Sequence, residues 1–356
     1  MINYNHNAFL NDAIQLLQRL VTIPSISRNE EKATDEMALF MQNHGISFVR
    51  EGNNIIVADP HHDTARPTIL LNAHIDTVKP VATWTLDPFT PTIKDGRIYG
   101  LGTNDCGGGL VTLLQVFRIM VDAPRNYNLI YVASAEEEVS GANGFSRVLP
   151  LLPKIDLAIV GEPTAMQPAI AEKGLMVIDA ESHGKSGHAA RNEGVNAIYE
   201  ALDDLVWLHN YQFEKVSPLL GPTRLSVTMI NAGTQHNVVP DKCSFVIDVR
   251  TNELYTNQEV FELLCRHLKS TLKARSFRLC SSSIDSCHPI VERCKDMGMT
   301  PFGSPTLSDQ ALMPFTSIKI GPGHSTRSHS ADEYICMDEL DEALDIYIRL
   351  LDGLNI

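Results

Sequence analysis

Three short apolar runs, at 68–73, 129–133 and 157–160, each stop within three residues of a histidine or a carboxylate: His74, Glu136 and Glu162. Runs this short, separated by helical patterns, read as strands buried on both faces of a parallel sheet. Open α/β sheets bind their ligands at the carboxyl ends of such strands, so one pattern constrains fold and chemistry together. Helical spacing at 8–21 (AFLNDAIQLLQRLV) stops before Pro24. A second helix, capped by Asn29, runs to about 44, and a third spans 109–121 between the first two strands.

Past Lys173 the rhythm changes. A strand at 175–181, a helix at 194–211, strands at 224–231 and 243–250, a helix at 257–273 and a strand at 276–281 follow in order. That order is β-α-β-β-α-β, the split βαβ unit, and it is long enough to be a domain. Beyond 285 an α/β pattern returns, with a helix at 290–297, a strand at 317–320 and a last helix at 337–354. A chain of 356 residues exceeds one ordinary core. The simplest reading is a discontinuous domain of 1–173 plus 285–356, interrupted by a small domain at 174–284.

Composition removes several function classes. A formal charge of −14 without a basic stripe argues against nucleic acid, whose phosphates need a positive face. Neither a secretory pattern at the start nor a run of about 20 apolar residues is present, so no membrane role is expected. Seven cysteines with no CxxC pair read as reduced thiols of a cytoplasmic protein, which also excludes a cysteine zinc finger.

The residues that can carry chemistry lie at strand ends. His74-Ile75-Asp76 follows the first run, a spacing that lets a carboxylate fix the tautomer of a metal-binding imidazole. GLGTNDCGGGL at 100–110 fails the dinucleotide fingerprint, because Asp105 occupies its sixth place. A carboxylate in a glycine-rich turn suits an oxygen ligand, with glycines letting backbone and metal approach. Glu136-Glu137-Glu138 ends the second run, where three carboxylates need cations to offset their repulsion. Glu162 follows the third run, and His329 follows the strand at 317–320, with His324 as a competitor by composition. Two histidines and three carboxylates suit Zn, Co or Mn, and two such ions could share a bridging carboxylate and a water. A nucleophile elbow (GxSxG) is absent, and HGKS around Lys185 lacks the context of a phosphate loop.

Taken together, HID, GLGTNDCGGG, SAEEE, GEPT, GKSGHAA, NVVP and SHSADEY resemble the M20-type zinc deacylases and peptidases, over nearly the whole chain. That family includes acetylornithine deacetylase, succinyl-diaminopimelate desuccinylase, carboxypeptidase G and the aminoacylases. The resemblance implies a zinc-aminopeptidase-like catalytic domain, a mixed sheet flanked by helices, carrying an inserted ferredoxin-like domain for lid and dimerisation. It implies two zinc ions per chain, replaceable by Co or Mn. His74, Asp105 and Glu162 would hold one; Asp105, Glu138 and His329 the other. Glu137 matches the family's catalytic base and Asp76 the residue that orients the first histidine. His188 matches a histidine that reaches a partner's active site in dimeric members, so a homodimer is expected. Asn237 and Arg250 match positions that bind substrate carboxylate or carbonyl groups.

The resemblance further implies hydrolysis of an N-acyl amino acid, closest to deacetylation of N-acetyl-L-ornithine in arginine biosynthesis. N-succinyl ornithine or a citrulline derivative are the near variants. A dipeptidase, an aminoacylase or a succinyl-diaminopimelate desuccinylase is the alternative within the family, and a non-catalytic metal-binding module is the rival outside it. Departures are Leu101 in place of an arginine, Cys106-Gly107 in place of Met-Lys, and Leu175-Met176 where desuccinylases carry arginines. The last of these favours the deacetylase.

Overall fold

The computed structural model describes residues 2–191 and 193–356, which form two compact units. The first comprises Met1–Ile170, Ile284–Phe302 and Ser308–Ile356; the second comprises Ala171–Ser283 and Gly303–Leu307.

In the first unit four parallel strands stand side by side: Asn128–Ser134, Thr68–His74, Leu157–Val160 and Ser317–Lys319. Antiparallel strands extend this row, Asn54–Ala58 beside Asn128–Ser134 and then Val49–Glu51, so the sheet is mixed. The parallel strands are buried on both faces because their side chains alternate between two cores. Ile69, Leu71, Leu129, Tyr131, Leu157 and Ile159 point to one core, beneath helices His6–Val21, Glu31–Asn43, Gly108–Met120 and Met337–Leu351. Leu70, Ile130, Val132, Ala158 and Val160 point to the other, beneath Phe145–Val148. Near-continuous apolar strands are what a doubly covered sheet requires.

The long helices of this unit match the sequence reading closely, with one corrected cap. Helix Glu31–Asn43 begins after Glu30, and Asn29 does not cap it. The Glu30 carboxylate is drawn away to the Arg28 N–H and the Asn53 amide, which leaves this helix without a side-chain cap. Two of the glycines at 107–109 permit close backbone approaches. A Cβ at Gly109 would stand 1.7 Å from the Gly161 carbonyl oxygen, and one at Gly107 would stand 2.4 Å from that of Gly102. Gly109 therefore lets helix Gly108–Met120 press against the backbone at the end of Leu157–Val160, and Gly107 lets the preceding turn close on itself.

The second unit is a four-stranded antiparallel sheet in the order Arg224–Ala232, Lys242–Arg250, Met176–His183, Thr271–Ala274. Helices Ala197–Asn210 and Asn257–His267 pack on one face over Ile178, Ala180, Phe245, Ile247 and Val249. The helix expected over 257–273 stops at His267, and the strand expected at 276–281 lies instead at Thr271–Ala274. The buried Asp204 carboxylate explains the early stop. It accepts the Lys269 N–H at 3.0 Å, the Ser270 N–H at 2.8 Å and the Ser270 hydroxyl, pulling the chain out of the helix and into the sheet. Residues 303–307, expected in the discontinuous domain of 1–173 plus 285–356, group with this unit: the Lys173 N–H donates to the Ser304 carbonyl at 3.2 Å. Among the described residues no helix is long and apolar enough to cross a membrane.

Candidate metal centre

Parallel register carries the candidate residues to one edge of the first unit. His74 ends its strand opposite Ser134, and Asn72 lies opposite Val160. The segments leaving these strand ends therefore bring His74, Glu137, Glu138 and Glu162 to the same carboxyl edge. His74 Nε2 lies 3.2 Å from Asp105 Oδ1, 3.7 Å from Glu162 Oε1 and 3.9 Å from Glu137 Oε2. His329 Nε2 lies 2.9 Å from Glu138 Oε2 and 3.7 Å from Asp105 Oδ2. Asp105 thus turns one carboxylate oxygen toward each histidine. All five residues singled out as metal-competent converge, with Glu137 beside them. His324, the compositional competitor, faces Glu339 at 3.7 Å instead.

Of the three consecutive glutamates, Glu136 turns back. Its backbone is left-handed, with φ of 55°, and its carboxylate accepts the Asn143 side-chain amide at 2.9 Å and backbone N–H at 3.2 Å. That reversal frees the next two to face the cluster. Asp76 stands against His74 as expected, but its carboxylate also serves the glutamate turn. His74 Nδ1 bonds the Asp76 backbone carbonyl at 2.8 Å, while the Asp76 carboxylate stands 3.6 Å away. The carboxylate accepts the N–H groups of Glu137 and Glu138 at 3.0 and 3.1 Å and the Ser27 hydroxyl at 2.7 Å. Residue 76 orients the imidazole through its main chain, and its side chain fixes the glutamate turn.

The charges here demand compensation. Burial pushes Glu137 well above the ordinary carboxylate range, with Glu162, Asp309 and Glu138 adding to the rise and His74 opposing it. Burial raises Glu162 to about 8, against the pull of His74 and Lys319. Burial would lower His74, yet the Cys106 thiol, Asp105 and Glu162 together hold it well above the usual imidazole value. Its hydrogen bond to Glu138 lifts His329 to about 9. Four carboxylates around two imidazoles are a set that divalent cations would neutralise, reversing these shifts. Nitrogen and oxygen donors in this number fit Zn-, Co- or Mn-type ions.

Sequence reasoning missed three neighbours. The Cys106 thiol lies within 4.8 Å of donors of His74 and Glu162 and accepts the His74 backbone N–H at 3.1 Å. Buried Asp309 accepts the Ser134 hydroxyl at 2.6 Å, and burial raises it to about 6. Glu333, also buried and raised by burial to about 8, accepts backbone N–H groups of the Asp105 turn. Asp309 carries no motif signal, and Glu333 stands within SHSADEY, where no metal-ligand spacing marks it.

His188, Asn237 and Arg250 belong to the inserted unit. His188 lies on a short strand paired with Val238, its Nδ1 accepting the Ala190 N–H at 3.2 Å. The Asn237 carbonyl accepts the Ala189 N–H at 3.1 Å, so the two residues share a corner. Arg250 is held in a two-pronged contact by Asp248, at 2.8 and 3.1 Å.

The sequence profile of peptidase family M20/M25/M40 matches residues 70–353. An acetylornithine deacetylase of Proteus mirabilis is 29% identical, over 96% of both chains. A candidate succinyl-diaminopimelate desuccinylase of Mycobacterium tuberculosis is 27% identical, over 96% of this chain and 98% of its own. Among solved structures, a Bacillus subtilis protein described as a dinuclear metal binding peptidase of the M20 family superposes with a TM-score of 0.74. It covers 98% of this chain and 100% of its own, at 18% identity.

Proposed function

This chain belongs to peptidase family M20/M25/M40, and from that premise we propose that it hydrolyses the amide bond of an N-acyl amino acid at a pair of divalent cations. It is an enzyme of the metal-dependent amidohydrolase type. The favoured substrate is N-acetyl-L-ornithine, with N-succinyl ornithine and the corresponding citrulline derivatives as near variants. One observation carries the reading: Asp105 presents one oxygen to the His74 side and the other to the His329 side, as a carboxylate shared by two ions must. His74, Asp105 and Glu162 would hold the first ion, and Asp105, Glu138 and His329 the second. Zinc is the favoured metal, with cobalt or manganese able to replace it.

The cations, when bound, would supply Lewis acidity to the attacking water and the amide carbonyl. The proton chemistry belongs to Glu137. Its carboxylate accepts no hydrogen bond from the described residues, while Asp76 fixes its backbone N–H, so the group is aimed yet available. Its Oε2 lies 3.9 Å from His74 Nε2, beside the place where the attacking water would be held, the position a general base needs. Glu137 takes a proton from the water that adds to the acyl carbon. It returns that proton to the nitrogen as the C–N bond breaks, leaving a carboxylate and a free amine.

Substrate choice rests on the inserted unit. Desuccinylases place arginines after the Lys-Gly pair; here Leu175 and Met176 stand there, and Met176 is buried in that unit's own core. A panel of N-acetyl-L-ornithine, N-succinyl-L-ornithine, acylated citrullines, N-succinyl-diaminopimelate and simple dipeptides, run on zinc- and cobalt-loaded protein, tests the assignment. N-acetyl-L-ornithine should lead the dipeptides by at least about tenfold in kcat/KM, the effect of roughly 1.4 kcal/mol. Preference for dipeptides would turn the reading to a peptidase of the same family.

The second unit also supports a homodimer. Strand Arg224–Ala232 is an edge strand, with Met229 58% and Ile230 51% exposed, and helix Ala197–Asn210 shows Tyr199, Leu202 and Val206 to the outside. A long apolar edge left open invites pairing, and a second copy across a two-fold axis satisfies it with the same surface. In that dimer His188 would donate to the developing oxyanion, and Asn237 and Arg250 would bind the substrate's carboxylate or carbonyl groups. Sedimentation should find a dimer; a fully active monomer would remove this arrangement.

A further inference from the structure

The turn that carries Asp105 is suspended from one buried side chain. Strand Tyr334–Cys336 pairs antiparallel with Arg97–Tyr99, which sets Glu333 opposite the start of the turn. The Gly100 N–H donates to the Glu333 main-chain carbonyl at 3.0 Å. The Glu333 side chain is 2% exposed, and its Oε1 accepts the backbone N–H groups of Asn104 at 2.8 Å and Asp105 at 3.0 Å. Successive amides that converge on one oxygen leave the peptide little freedom to rotate, and Gly102, with φ of 76°, supplies the bend that aims them.

Asn104 extends the tie to the other histidine. Its side-chain amide donates to the His324 carbonyl at 3.0 Å and to Ser328 Oγ at 3.3 Å, and its Oδ1 accepts the His324 N–H at 2.9 Å. Ser328 precedes His329, whose backbone is left-handed with φ of 57°. A non-glycine residue keeps such a conformation only where its surroundings impose it. The Asp105 turn and the His329 loop are therefore one hydrogen-bonded piece, with Glu333 at its root.

We propose that Glu333 is a positioning residue that sets the shared carboxylate of Asp105 and, through Asn104, the His329 loop, so that the donors of both cations stand in place before either ion binds. The inference rests on Asp105 being a ligand of both. What Glu333 contributes is an acceptor oxygen at a given reach, so the geometry of that oxygen should matter more than its charge. An amide oxygen at the same place can accept the same two N–H groups, whereas a side chain one methylene shorter cannot reach them.

Glu333→Gln and Glu333→Asp separate these properties. The metal-free full-length proteins would be titrated with cobalt by calorimetry and visible absorption, and their unfolding followed without metal. Glu333→Gln should bind cobalt and show its absorption bands much as the wild type does. Glu333→Asp should fold but bind cobalt about 10- to 100-fold more weakly, with altered bands, the usual range for groups that orient a ligand. Cobalt binding by Glu333→Asp equal to the wild type, or Glu333→Gln weakened as much as Glu333→Asp, would overturn the proposal. A wild-type protein that takes up no cobalt would instead overturn the reading of Asp105 on which it stands.

Discussion

Glu137→Gln is expected to lower kcat by about 10²- to 10⁴-fold, the contribution of a well-placed general base, while the protein still binds two cations per chain. The expectation follows from how the residue is held. Asp76 accepts the Glu137 N–H at 3.0 Å and would do so equally for glutamine, and the left-handed turn at Glu136 is untouched. The substituted side chain is isosteric, so the Glu138 carboxylate, one residue on, should stay where it is. What disappears is the capacity to hold a proton between water attack and amine departure. Metal content by atomic absorption and steady-state kinetics on one preparation decide the matter. Unchanged turnover, or loss of turnover only in proportion to lost metal, would remove Glu137 from its role.

Removing the cations should have an equally large effect, and a diagnostic one. Chelation should abolish turnover, and zinc or cobalt should restore it. Stability of the stripped protein should then fall as pH rises from acid to mildly alkaline. Glu162 keeps its proton up to about 8 in the folded metal-free chain but releases it near about 4.3 when unfolded. His329 keeps its proton up to about 9, against about 6.5 unfolded. Between these limits the folded chain binds more protons than the unfolded one, and stability declines with pH. Asp105 is lowered, burial being outweighed by His74 and His329, so its contribution is lost only in acid, outside this window. With cations present the trend should reverse, because metal binding releases protons. At a free concentration a hundredfold above Kd the ion should add about 2.7 kcal/mol. Melting curves at several pH values, with and without zinc, give the answer; a stripped protein that grows more stable toward pH 9, or activity that survives chelation, would contradict the centre.

Local patterns in the chain carried the strands of the first unit because burial on both faces leaves an almost unbroken apolar run. Those runs in turn marked where His74, Glu137, Glu138 and Glu162 would gather. What periodicity could not show was the agency of single buried acids. Asp204 ends a helix that the apolar spacing would have carried to 273, and Glu30 abandons a cap to serve the loop at Asn53. Asp76 was expected to orient His74 by its carboxylate, since spacing along a strand gives direction but not distance. Only the fold reveals that the carboxylate reaches the amides of the glutamate turn. Glu333 and Asp309 escaped notice for a related reason: their partners are backbone groups or residues far along the chain, which no short motif encodes.

The first unit is built from both ends of the chain, and this gives the site a history during synthesis. The imidazole that meets Glu138 lies 191 residues after it. A ribosome will have translated His74, Asp105 and Glu162, and then the entire second unit, before it reaches His329. A nascent or truncated chain can thus carry His74, Asp105 and Glu162, the proposed donors of one cation, and still lack His329, proposed for the other. The proposed pair of cations would therefore find all its donors only after His329 has emerged and closed back on the earlier part of the chain.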